Sequence, residues 1–158
     1  MIRMNKLTDY GIVLLTHLAR QRAVPIHSAR DLADASHLPV PTVNKLLKKL
    51  SQARLLTSQR GVNGGYTLAK DPAEISVADV ISALEGPIGM TECSSTSGLC
   101  SLEPTCPNRS GWRNISQAIR DTLQKLSLQE IAQPRAPLAA AALRDRLAAA
   151  RSKDVRAP

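Results

Sequence analysis

Residues 28–50, SARDLADASHLPVPTVNKLLKKL, decide the fold. Ser28 with Asp31 three residues on is a capping-box start, and the short helix it opens turns Leu32 and Ala33 inward. The stretch HLPV then turns the chain. Pro41 suits the first position of a second helix, in which Val43, Leu46, Leu47 and Leu50 recur at i, i+3, i+4 and i+7. The opposite side shows Thr42, Asn44, Lys45, Lys48, Lys49 and Gln52. Two short helices joined by a tight turn, the second with a basic outer face, are the pattern of a helix-turn-helix. Its second helix lies in a major groove, with N-terminal residues at base edges and lysines on phosphates. An ordinary surface helix shows a similar face, so the flanking segments carry the decision.

Downstream, LLTSQRGVNGGYTLAKDP (residues 55–72) places two strand-like runs around Arg60, Gly61, Asn63, Gly64 and Gly65, a hairpin signal. A hairpin directly after the recognition helix is a wing, and Arg60 near its tip can enter a minor groove. The bland alternative is a tight turn with a solvated arginine. Upstream, LTDYGIVLLTHLAR (7–20) reads as a helix with Thr8 or Asp9 near its start and a buried side of Leu7, Gly11, Leu14, Leu15 and Leu18. SVADVISALEGPIG (76–89) reads as another helix, capped by Ser76 and ended at Gly86 and Pro87. The expected fold is mainly α with a small β-hairpin wing, a winged helix-turn-helix over residues 1–86. Its expected DNA-facing set is Ser28, Pro41, Thr42, Asn44, Lys45, Lys48, Lys49, Arg60 and Asn63.

Charge supports this placement. The net +8 of the 158-residue chain lies entirely in residues 1–70, where eleven Lys/Arg face three acids; residues 71–158 carry ten of each. Such confinement suits a polyanion-binding module. Tyr10, Tyr66 and Trp112 are the only aromatics, too few for base stacking to be the main mode of contact. No run reaches the roughly 18 apolar residues that span a bilayer, and MIRMNKLTDYG lacks a secretory layout, so a cytoplasmic location is expected.

GWRNISQAIRDTLQKLSLQEIA (111–132) sets Trp112, Ile115, Ile119, Leu126 and Thr122 at spacings of three and four. This predicts one long amphipathic helix over 111–133 that pairs with a second copy, giving the two-fold symmetry palindromic operators require. A helix packed back on its own domain is the alternative. Beyond it, residues 134–158 are Ala/Arg-rich and fenced by proline, with Leu138, Leu143 and Leu147 at helical spacing; a loosely attached tail is expected.

All three cysteines, Cys93, Cys100 and Cys106, fall in the loop over 87–110 as C-x6-C-x5-C. Thiolates are soft ligands for iron–sulfur clusters and for zinc. No C-x2-4-C pair of the structural zinc kind is present. A cluster, a bare thiol switch, zinc and incidental surface thiols all remain open on spacing alone. A thiol enzyme is disfavoured, because His17, His27 and His37 all precede residue 40 without a partner motif, and no phosphate-cradling fingerprint occurs.

Taken together, MNKLTDYGIVLLTHLA, LPVPTVNKLLKKLSQARLL, RGVNGGYTLAKDP, ISVADVISALEGP and three cysteines before a Trp-bearing helix resemble the Rrf-two family of bacterial winged-helix regulators over roughly residues 1–131. Within it the chain is most similar to the branch regulating SUF-type iron–sulfur assembly. The resemblance implies a homodimer on a palindromic promoter, with a [2Fe–2S] or [4Fe–4S] cluster on Cys93, Cys100 and Cys106. It further implies a repressor of iron–sulfur assembly genes, relieved when clusters are scarce or oxidised. Two departures stand out: the first cysteine gap is six rather than five, and Arg109 stands where the isc-operon branch places a histidine ligand. Another branch takes a carboxylate from the partner's first helix, which corresponds to Asp9 here, a residue that can equally be a helix cap; Glu92, Glu103 and Asn108 are further candidates. The alternative function is a cluster-free, thiol-redox or zinc-responsive winged-helix regulator.

Overall fold

A computed structural model of the chain describes residues 4–133. The segment expected as a tail, 134–158, lies outside the described residues. Helix α1 (Lys6–Arg20) is capped by Asn5, whose side chain accepts from the Leu7 N–H at 3.1 Å. Neither Thr8 nor Asp9 caps it. Thr8 is fully buried and donates to Glu85, while Asp9 stays exposed in the first turn.

Helix α2 (Ala29–Ser36) begins in the expected capping box and ends at His37, in the left-handed region at φ 55°. Helix α3 (Val40–Gln52) starts one residue earlier than expected, with Val40 first and Pro41 second. Its Val43, Leu46, Leu47 and Leu50 are buried with Leu14 and Leu15 of α1 and Leu32 of α2, so the three helices share one core.

Strands β1 (Leu56–Gln59) and β2 (Gly65–Leu68) pair antiparallel, Leu56 opposite Leu68 and Gln59 opposite Gly65. A 3-10 turn, Pro72–Glu74, leads to α4 (Val77–Glu85), opened by a capping box between Ser76 and Asp79 and ended at Gly86 with φ 98°. The one-turn helix α5 (Glu92–Ser95) stands in the cysteine loop, and α6 (Arg109–Lys125) follows it.

The expected single helix over 111–133 is two. Ser127 and Glu130 form a new capping box that starts α7 (Leu128–Ala132), and Leu126 marks the break. There the chain returns to its own domain. The Leu126 carbonyl accepts from Val77 N–H at 2.9 Å and Leu128 N–H donates to the Ile75 carbonyl at 2.8 Å. Leu128 enters the core, and the Arg20 Nε donates 2.6 Å to the Ala132 carbonyl. Leu126, half-buried, anchors the backbone at this return.

Candidate nucleic-acid interface and cysteine loop

Helical periodicity fixes the outer face of α3. With four leucine and valine side chains buried, Pro41, Asn44, Lys45 and Lys48 are left exposed at i, i+3, i+4 and i+7, one continuous stripe. Thr42 sits half-buried at its edge. Lys49 departs from the expected phosphate-contact set: its Nζ donates 2.9 Å to the Leu84 carbonyl in the last turn of α4. A cation there satisfies an orphan carbonyl and complements the helix dipole. The Ser28 hydroxyl likewise serves its own helix, accepting from Asp31 N–H at 3.1 Å, while Asp31 accepts from Ser28 N–H at 3.2 Å. The Ser28 hydroxyl and then the Ser28 N–H, both facing the Asp31 carboxylate, hold it below the usual carboxylate range.

Arg60, Val62 and Asn63 are exposed in the hairpin tip. Val62, a lone apolar residue between turn glycines, packs against nothing. Val40, exposed at the start of α3, stands outside the expected set. The base of the hairpin is pinned by a two-way backbone bridge, His27 N–H to the Tyr66 carbonyl at 3.0 Å and Tyr66 N–H to the His27 carbonyl at 2.8 Å. Gly65 must be bare there, because a Cβ would drive into the His27 carbonyl. The His17 ring meets the buried His27 edge-on, centroids 5.7 Å apart.

The cysteine loop divides in two. Its first half is strapped to α6: Met90 N–H donates to Ser116 Oγ at 3.0 Å, Ser116 Oγ to Ser94 Oγ at 2.9 Å, and Arg120 Nη2 to the Ile88 carbonyl at 2.9 Å. Arg113 Nη2 reaches Ser97 Oγ at 3.2 Å. Ser116 is the buried residue of α6, off the apolar stripe that the periodicity marks. Cys93, on α5, is buried with its Sγ 3.3 Å from Thr91 Oγ1. In the second half, Cys100 and Cys106 are half-buried around Glu103, whose carboxylate pairs with Arg109 Nη2 at 2.7 Å.

In kind, the donor set fits an iron–sulfur cluster. Three soft thiols lie on one loop and none is in a disulfide. The loop does not gather them, since among the described residues no group of three or more His, Cys, Asp or Glu is placed to hold a metal ion. Asp9 is exposed on α1, Glu92 and Asn108 are exposed beside the thiols, and Glu103 is engaged by Arg109.

On α6 the outward residues Ile115, Ala118, Ile119, Thr122 and Leu123 line a shallow apolar groove, with exposed Trp112 one turn before it. Leu123 joins the stripe that the spacing predicts. No helix among the described residues is long and apolar enough to cross a membrane.

A three-helix core carrying a helix-turn-helix and a two-stranded wing defines a winged-helix DNA-binding regulator. Residues 4–134 match the Rrf2 family, described as an iron-dependent transcriptional regulator. The chain belongs to that family. It is 31% identical over 123 residues to the HTH-type transcriptional regulator CymR of Bacillus subtilis, covering 78% of this chain and 84% of that one. It is 32% identical over 132 residues to the HTH-type transcriptional regulator IscR of Aliivibrio salmonicida, covering 80% and 76%. The solved structure of the B. subtilis CymR, titled the global cysteine regulator, superposes with a TM-score of 0.65 at 27% identity, covering 84% of this chain and 97% of that one. The family and these relatives are transcriptional regulators, and the chain is not an enzyme.

Proposed function

We propose that the chain is a homodimeric repressor that reads a palindromic promoter and reports iron–sulfur status, controlling iron–sulfur assembly genes. The observation that carries this reading is the coupling of a basic recognition stripe, through one small domain, to three free thiols on a loop strapped to α6. Pro41, Asn44, Lys45 and Lys48 enter the major groove, Arg60 and Asn63 approach the minor groove, and the Ser28 end of α2 lies against the backbone. Two copies pair through the groove of Ile115, Ile119 and Leu123 with Trp112, which sets the spacing of two recognition helices.

Cys93, Cys100 and Cys106 would hold the cluster, with Asp9 of the partner subunit as the candidate fourth donor, and a bound cluster would supply a redox- and iron-sensitive link between the thiols. Ser94, Arg113 and Arg120 pass the state of the loop to α6. Half-sites one helical turn apart tolerate little error, so a small change at α6 changes affinity strongly.

The three thiols, none of them in a disulfide, also support a second reading, a cluster-free thiol-redox or zinc-responsive regulator. Protein purified without oxygen separates the two. Visible absorption with matched iron and sulfide, and binding to its own promoter region that changes on chelation, supports the first. Colourless protein whose DNA binding responds to thiol oxidation alone supports the second.

A further inference from the structure

Glu103 is the buried carboxylate among the described residues, 6% exposed in a segment with almost no apolar cover. Leu99 and Leu102 beside it are 63% and 67% exposed, so no hydrophobic cluster holds this half of the loop. The remaining backbone bonds there are local: Glu103 N–H to the Cys100 carbonyl at 3.1 Å, Thr105 N–H to Leu102 at 3.1 Å, Arg109 N–H to Cys106 at 3.4 Å. Local turns of this kind do not close a loop. The carboxylate does. Its Oε2 accepts from Gly98 N–H at 2.7 Å on one side, and its Oε1 meets Arg109 Nη2 at 2.7 Å on the other. Gly98 sits at φ 87°, in the left-handed region that glycine adopts freely, which aims its N–H at the carboxylate. Arg109 is the first residue of α6, and Arg113 one turn on adds its charge. Burying a carboxylate is costly unless it is paired in this way.

We infer that Glu103 is the positioning residue of the cysteine loop: acting through Gly98 and Arg109, it holds Cys100 and Cys106 in a folded arrangement on the end of α6 in the cluster-free protein. The pair closes this half of the loop by charge, joining the turn at Gly98 to the first residue of α6. This deepens the reading of the loop as the sensor, but its test needs no cluster.

Full-length, metal-free, reduced protein is pulse-labelled with N-ethylmaleimide, and alkylation of each cysteine is followed by peptide mass spectrometry. In Glu103→Gln and in Arg109→Gln, Cys100 and Cys106 label about ten-fold faster than in the wild type, as the loop loses the ion pair that closes it. Cys93, held by the Thr91 and Ser94 side of the loop, changes less than about two-fold. The double variant labels no faster than either single one, because both remove the same contact. Arg109→Lys keeps the charge and labels more slowly than Arg109→Gln. Unchanged rates in Glu103→Gln, or single effects that multiply in the double variant, overturn the inference. Circular dichroism of each variant separates loop opening from global unfolding. A colourless native protein removes the cluster reading and leaves this result intact.

Discussion

Two neighbouring lysines on one helix have different jobs. Lys48 points out of the α3 stripe, while Lys49 is drawn back to the Leu84 carbonyl. Lys48→Ala therefore weakens promoter binding and lowers the salt dependence of log K by about one, as expected for the loss of one phosphate contact. Lys49→Ala leaves that slope unchanged and costs about 1 kcal/mol of stability through the lost helix-end hydrogen bond. Fluorescence anisotropy across a salt series and urea melts distinguish the two. The sequence shows both lysines at the polar side of the helix; it cannot show that Leu84, 35 residues on, ends its helix beside one of them. Gly65 is a second such case. Gly65→Ala pushes a Cβ against the His27 carbonyl and costs about 1–3 kcal/mol by overpacking, with the loss of wing order read from amide exchange at Tyr66.

Among elements, the helix-turn-helix and the wing were legible because periodicity, capping and turn chemistry agree there. Leu32 and Ala33, then Val43, Leu46, Leu47 and Leu50, are buried as their spacing requires. The C-terminal helix was read too long for an equally physical reason. Apolar residues continue at helical spacing through Leu126, and that pattern masked the capping box of Ser127 and Glu130. The signal was present as S-x-x-E. Ser127→Ala removes the cap and costs about 1 kcal/mol, seen as a lower thermal midpoint, while leaving α6 intact. Ile119→Glu acts on the other side of that break. It places a charge in the apolar groove and, on the proposed pairing, shifts the protein toward monomer in sedimentation, with promoter affinity falling in step. The cysteine loop has no periodicity at all, so its thiols were visible as residues but the Glu103 to Arg109 contact was not.

For the molecule as a whole, His17 contributes a pH dependence of stability. Burial, then the charge of His27, then that of Arg20 push the His17 pKa down from its ordinary value. A base with a depressed pKa takes up its proton more readily when unfolded. Its contribution is therefore complete above the ordinary histidine value, about 6.5, and is lost as pH falls below it. The thermal midpoint should drop between about pH 7 and pH 5, and His17→Gln should flatten that drop. A wild-type midpoint indifferent to pH over this range contradicts the assignment.

Chain closure at Leu126 has one more consequence, for how such regulators diversify. The segment from Gly86 to Leu126 leaves at the end of α4 and returns to its beginning, so its two ends are separated by one nine-residue helix, about 14 Å. The loop between Pro87 and Asn108 is thus an excursion from one end of α4, and a change in its length or its thiols leaves the backbone bridge at Ile75 and Val77 in place. Input can vary there while α6 and the reading head keep their geometry.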